Sequence, residues 1–87
     1  MNLENVPGIG PVTVEKLQKV GIETLEQLEK AGSMNAFLKV REMVDKGACV
    51  SFLYGLEGAI QKKRSKQLSP ETKEKLKNFV HSLDQEG

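Results

Sequence analysis

Apolar positions recur along this chain at helical spacing, and Gly, Ser and Thr punctuate the intervals. Val14, Leu17 and Val20 follow Pro11 and stop at Gly21; proline suits a first helical turn, where its missing N–H is no loss. Thr24 precedes Leu25 and Leu28, with Gln27 at the capping-box spacing, and Gly32 closes this shorter helix. Ser33 opens a third helix that carries Met34, Phe37, Leu38, Val40 and Val44 near one face and runs to Gly47. Residues 48–60 are apolar almost all round, through Val50, Phe52, Leu53, Leu56, Ala59 and Ile60, which predicts the buried centre of the fold. Ser69-Pro70-Glu71 then supplies a cap, a proline and a carboxylate suited to the helix dipole. Leu76, Phe79, Val80 and Leu83 complete an i, i+3, i+4, i+7 stripe.

No stretch reads convincingly as a strand, so the pattern predicts an all-α fold. The expected form is a compact five-helix array in a single domain over residues 1–87. Its connections are short except for the polar one between Gln61 and Leu68. Gly55 and Gly58 fall inside the central helix, where each costs up to ~1 kcal/mol against alanine. Close approach of a neighbouring helix would offset that cost. A ligand or dimer contact through the same small face is the alternative.

Charge changes the picture in one respect. The 87 residues carry 13 Lys and Arg against 12 Asp and Glu, a formal net charge of +1, which excludes a uniformly basic nucleic-acid binder. Along the chain the balance is uneven. Between Gln61 and Lys77 lie Lys62, Lys63, Arg64, Lys66, Lys73, Lys75 and Lys77, opposed only by Glu71 and Glu74. Short lysine runs are commonly a solvated face; the sharper alternative is a patch for phosphate or an acidic partner. No apolar run approaches the ~18 residues of a membrane span, and the first seven residues lack a basic-then-apolar signal pattern. The expectation is a soluble, cytoplasmic chain with no membrane partner.

Candidate chemistry is sparse. The single cysteine, Cys49, excludes an internal disulfide and a cysteine-based metal site, and it reads as a small buried hydrophobe. His81, the only histidine, reads as facing solvent or edging the core, with no second ligand at metal spacing. Tyr54 is expected as a core ring with its hydroxyl at the edge, and Glu57 as a cap or a partner nearby; alternatively the two line a small polar site. A nucleophile, a base and an orienting group cannot be assembled from these residues, so the expectation is a non-enzyme with no cofactor and no metal.

The most informative stretch is Val6-Pro7-Gly8-Ile9-Gly10-Pro11, followed by Thr13, Val14 and Leu17. Two glycines around one apolar residue make a tight turn whose amides can point outward, and the helix behind it adds free N–H groups and the positive end of its dipole. Such an arrangement can hold a phosphate-sized anion without any side chain. Ile9 would plug into the core and fix the turn. The stretch resembles the helix-hairpin-helix motif of DNA-binding and repair proteins. That resemblance makes Gly8 and Gly10 backbone donors to a sugar-phosphate chain, with Lys16 and Lys19 as nearby helix cations. Val12 stands where the motif often has a lysine, and only residues 1–6 precede Pro7. A hairpin that merely turns the chain is the alternative.

Three segments in order extend the likeness: Leu3-Glu4-Asn5-Val6-Pro7-Gly8-Ile9-Gly10, Val20-Gly21-Ile22-Glu23-Thr24-Leu25-Glu26-Gln27-Leu28, and Phe52-Leu53-Tyr54-Gly55-Leu56-Glu57-Gly58-Ala59. Together they resemble the C-terminal domain of the TfoX/Sxy family of bacterial competence regulators, over roughly residues 3–83. The resemblance implies a helical array of the sterile-alpha-motif-like kind containing a helix-hairpin-helix element. It also implies a link to DNA transformation and transcriptional control. The family's N-terminal domain is not seen, so the chain looks like the C-terminal half alone. The expected function is a non-catalytic regulatory module. It would bind the DNA backbone weakly through the hairpin, with Lys62, Lys63, Arg64 and Lys66 supplying local charge. The alternative is a protein-interaction domain with a purely structural hairpin, its partner a transcription factor, RNA polymerase or a second copy of itself.

Overall fold

The helices begin and end where residues can satisfy their free backbone groups. The structure, a computed structural model, describes residues 2–6 and 9–86. A 3-10 turn at Leu3–Asn5 leads into α1 (Pro11–Lys19), α2 (Leu25–Ala31), α3 (Ser33–Met43) and α4 (Val50–Gln61). A second 3-10 turn at Ser65–Gln67 then precedes α5 (Pro70–Glu86). The fold is all-α: among the described residues there is no strand, only an isolated antiparallel bridge between Asn2 and Thr24.

Gly21 ends α1 with φ +84°, a left-handed conformation that glycine adopts without Cβ strain. There the Ile22 N–H donates to the Leu17 carbonyl at 2.9 Å and the Gly21 N–H to Gln18 at 3.0 Å, satisfying two orphan carbonyls. Thr24 caps α2 as its spacing predicts, its hydroxyl accepting from the Gln27 N–H at 3.1 Å. The Gln27 side chain closes the box one residue early, accepting from the N–H of Glu23 at 2.6 Å. Ser69 caps α5 through the Thr72 N–H at 3.1 Å.

Helix α4 begins at Val50, two residues later than its apolar run suggests, and packs against α2, α3, α5 and the second 3-10 turn. Its own Leu53 and Leu56 are fully buried, as are Leu17 of α1, Leu28 of α2 and Phe37 of α3. The Phe37 ring lies 6.4 Å from that of Phe52 and 6.5 Å from that of Phe79, an aromatic junction of α3, α4 and α5. Segments outside the main helices add Leu3, Val6, Ile22 and Leu68 to the same core.

The two α4 glycines differ. A Cβ on Gly58 would sit 2.7 Å from the Lys63 carbonyl oxygen, whereas one on Gly55 would meet nothing within 4 Å. The close approach at Gly58 is therefore by the chain leaving α4, not by a neighbouring helix, and Gly55 has no such neighbour. The same exit is fixed by the Lys63 N–H donating to the Gly58 carbonyl at 2.8 Å, with Lys62 in the left-handed region at φ +60°. This reversal folds residues 62–64 back against the end of the helix.

Candidate functional site

Of the stretch read as a hairpin, Pro7 and Gly8 lie outside the described residues. Gly10 is exposed at the entrance to α1 with an extended backbone, and its carbonyl accepts from the Val14 N–H at 3.1 Å. Ile9 is half-buried against the core and its N–H donates to the Val6 carbonyl at 3.3 Å, in keeping with its role as an anchor. The cations of α1 are engaged within the protein. Lys16 Nζ lies 2.7 Å from Asp45 Oδ2 and 5.6 Å from the centroid of the Phe52 ring, with its side chain 26% exposed. The Lys16 ammonium, helped by the Gly47 N–H at 3.0 Å, holds the Asp45 carboxyl below the usual carboxylate range. Lys19 sits 3.5 Å from Glu15 on the exposed face of the same helix.

The C-terminal cations are arranged differently. Lys62, Lys63 and Arg64 line a cleft of about 540 Å³ together with Val6, Leu25, Glu26, Glu29, Ala59 and Gln67. Its construction follows from the chain's local geometry. The bridge between Asn2 and Thr24 holds the N-terminal segment beside the entrance of α2. The turn after α4 carries residues 62–64 back, and the Arg64 N–H donates to Gln67 Oε1 at 2.9 Å. Val6, Leu25 and Ala59 give the cleft buried apolar side chains. Lys62, Lys63 and Arg64 form no salt bridge among the described residues. Glu26 and Glu29 of α2 bring the opposite charge to the same cleft. Of the cations singled out in the sequence, the structure thus brings three together, beside Val6. Lys66 is exposed in the second 3-10 turn and does not line the cleft, and Lys16 and Lys19 belong to other contacts.

Residues 1–80 match the family described as the TfoX C-terminal domain. The chain belongs to the TfoX C-terminal domain family. Two solved structures from Listeria monocytogenes share its fold. One, an uncharacterized protein in a triclinic crystal form, is 43% identical, with a TM-score of 0.92 over 97% of this chain and 94% of that one. The other, a protein of unknown function in a tetragonal form, is 44% identical, with a TM-score of 0.90 over 94% of this chain and 99% of that one. No curated protein matches the chain.

Within this TfoX C-terminal domain, one expectation about single residues is overturned. Cys49 is exposed, not buried, because α4 starts after it: Cys49 is the extended residue at the cap (φ −108°, ψ 175°), and Ala48 takes the buried place. His81 is exposed on α5. Tyr54 is half-buried and its hydroxyl donates to the Lys73 carbonyl at 3.2 Å, tying α4 to α5. Glu57 instead accepts from Ser33 Oγ and from Gln61 Nε2, each at 2.6 Å, so it and Tyr54 serve different partners. Ser33, read only as the start of α3, is the buried polar residue that links α3 to α4. Among the described residues no helix is long and apolar enough to cross a membrane, and no group of three His, Cys, Asp or Glu side chains could hold a metal ion. The sequence reading missed Glu26 and Glu29 as part of the site. Their position on α2, more than 30 residues before the basic run, carries no local signal that the two meet.

Proposed function

We propose that this TfoX C-terminal domain is a non-catalytic regulatory module that receives a segment of a partner protein in the cleft between α2 and the end of α4. The observation that carries the reading is the pairing of apolar side chains, Val6, Leu25 and Ala59, with charges of both signs, Glu29 against Lys62, Lys63 and Arg64. A nucleic-acid backbone entering the cleft would meet the Glu29 carboxylate. A polypeptide with an apolar anchor and mixed charges would find a complement for each part. Family membership supports a role in bacterial competence and transcriptional control, with a transcription factor or RNA polymerase as the class of partner.

A second reading, weak and sequence-independent binding of the DNA backbone, rests on one specific observation. Val6, at the shoulder of the hairpin, shares the cleft with Lys62, Lys63 and Arg64. In that reading Gly8 and Gly10 supply amides, Lys66 adds charge at the edge, and Lys16 and Lys19 would first have to leave Asp45 and Glu15.

The two readings part in a pair of measurements. Fluorescence anisotropy with duplex DNA over several salt concentrations would give, for contact with about four phosphates, a log–log slope of roughly −3.6. The protein-binding reading expects no saturable DNA binding near physiological salt. It expects a host protein to be retained from lysate by the wild type and lost on the double exchange Glu29→Lys with Lys63→Glu, both exposed positions. Saturable, salt-dependent DNA binding with no such retained protein would contradict it.

A further inference from the structure

A second cavity, of about 340 Å³, shares no residue with the cleft and lies where the end of α3, the start of α4 and the face of α5 meet. Arg41, Lys46 and Lys77 line it, with His81, Cys49 and a single carboxylate, Asp84. These groups come from α3, the α3–α4 connection and α5, so the cluster is a product of the fold and not of one charged run. Asp84 is already committed to Arg41, whose second terminal nitrogen, Nη1, is buried without a hydrogen-bond partner. Lys46 and Lys77 are exposed and form no salt bridge among the described residues. The positive field is therefore not neutralised from within.

The twelve-residue helix α4 adds to that field, since no acidic residue occupies its first turn. The N–H groups of Phe52 and then Ser51 hold the Cys49 thiol at the same helix entrance below the usual range. The volume falls at the lower end of small-molecule pockets, about 300–1,000 Å³, and exceeds what a bare phosphate ion fills.

We infer that this cavity binds a small phosphate monoester, its phosphoryl oxygens set between Lys46 and Lys77 at the start of α4. Arg41, paired with Asp84, forms the wall behind it, and the remaining volume takes the organic part. The site is independent of the proposed cleft, and neither reading depends on the other.

The test is a titration of the full chain with glycerol phosphate and, separately, inorganic phosphate, followed by NMR at constant ionic strength. The expected result is saturable shifts of the Val50 and Ser51 amides and the His81 ring, with tighter binding of the monoester. Bound phosphate also competes with the Cys49 thiolate for the same field, so it slows alkylation of Cys49 by iodoacetamide. Lys46→Glu combined with Lys77→Glu weakens the affinity by about tenfold or more, while the remaining amide spectrum shows the fold unchanged. Shifts that fail to saturate, or that are the same in the double variant, would overturn the assignment. Equal affinity for the two ligands would overturn the monoester in favour of the free ion. Should the double variant perturb the fold, the alkylation rate of the wild-type chain with and without glycerol phosphate decides instead, and an unchanged rate counts against the site.

Discussion

Gly55 and Gly58 lie three residues apart on α4, and the surroundings of each set opposite expectations for the same substitution. At Gly58 a methyl group would press on the Lys63 carbonyl, a backbone atom held by its own turn, so Gly58→Ala should destabilise the fold by about 1–3 kcal/mol. At Gly55 the space is open and the conformation helical, so Gly55→Ala should stabilise by about 0.5–1 kcal/mol. Urea denaturation of the two variants checks the pair; effects of the same sign would contradict the account of the α4 exit. The sequence shows both glycines and their cost to a helix. It does not show which one has a neighbour, because that neighbour is created by the reversal at residues 62–64. Cys49 illustrates the same limit. Its apolar neighbours Ala48 and Val50 suggest burial, yet one extended residue at the helix cap turns it outward.

Helices were the most legible part of the molecule, because their stop and start signals are local. Gly21, Thr24, Gly32 and Ser69 each mark a boundary that the structure reproduces within a residue, whereas α3 ends at Met43 and not at Gly47. What joins the helices is less legible. Lys16 and Asp45 are 29 residues apart, and nothing in their spacing predicts that they tie α1 to the connection between α3 and α4. The tie has a pH signature. Because the folded state holds the Asp45 carboxyl below its usual value, its contribution is present above the ordinary carboxylate pKa, about 3.9, and disappears as pH falls through the lower folded value. Asp45→Asn should therefore lower the thermal midpoint at neutral pH, and the gap to the wild type should close on acidification through that range. A gap that is independent of pH would mean that the ion pair contributes nothing and that only packing was disturbed.

At the scale of the whole molecule, a nearly neutral total conceals two distinct surfaces. The basic run after α4 reads in the sequence as a patch awaiting phosphate. In the fold, three of its members share a cleft with carboxylates from α2 and with apolar side chains from three segments, and this changes the ligand it suits. The family, the helical class and the individual cations could be read from the chain. The opposing charges could not, since only tertiary packing brings α2 to the end of α4.

The central claim is that this cleft receives a protein, and a photo-crosslinking residue tests it directly. Placed at Lys63, which lines the cleft and is exposed, it should yield on irradiation in cells a discrete adduct with one polypeptide. The same residue at Lys75, exposed on α5 and away from the cleft lining, should yield none. An adduct with nucleic acid alone, or an equal polypeptide adduct from position 75, would contradict the account.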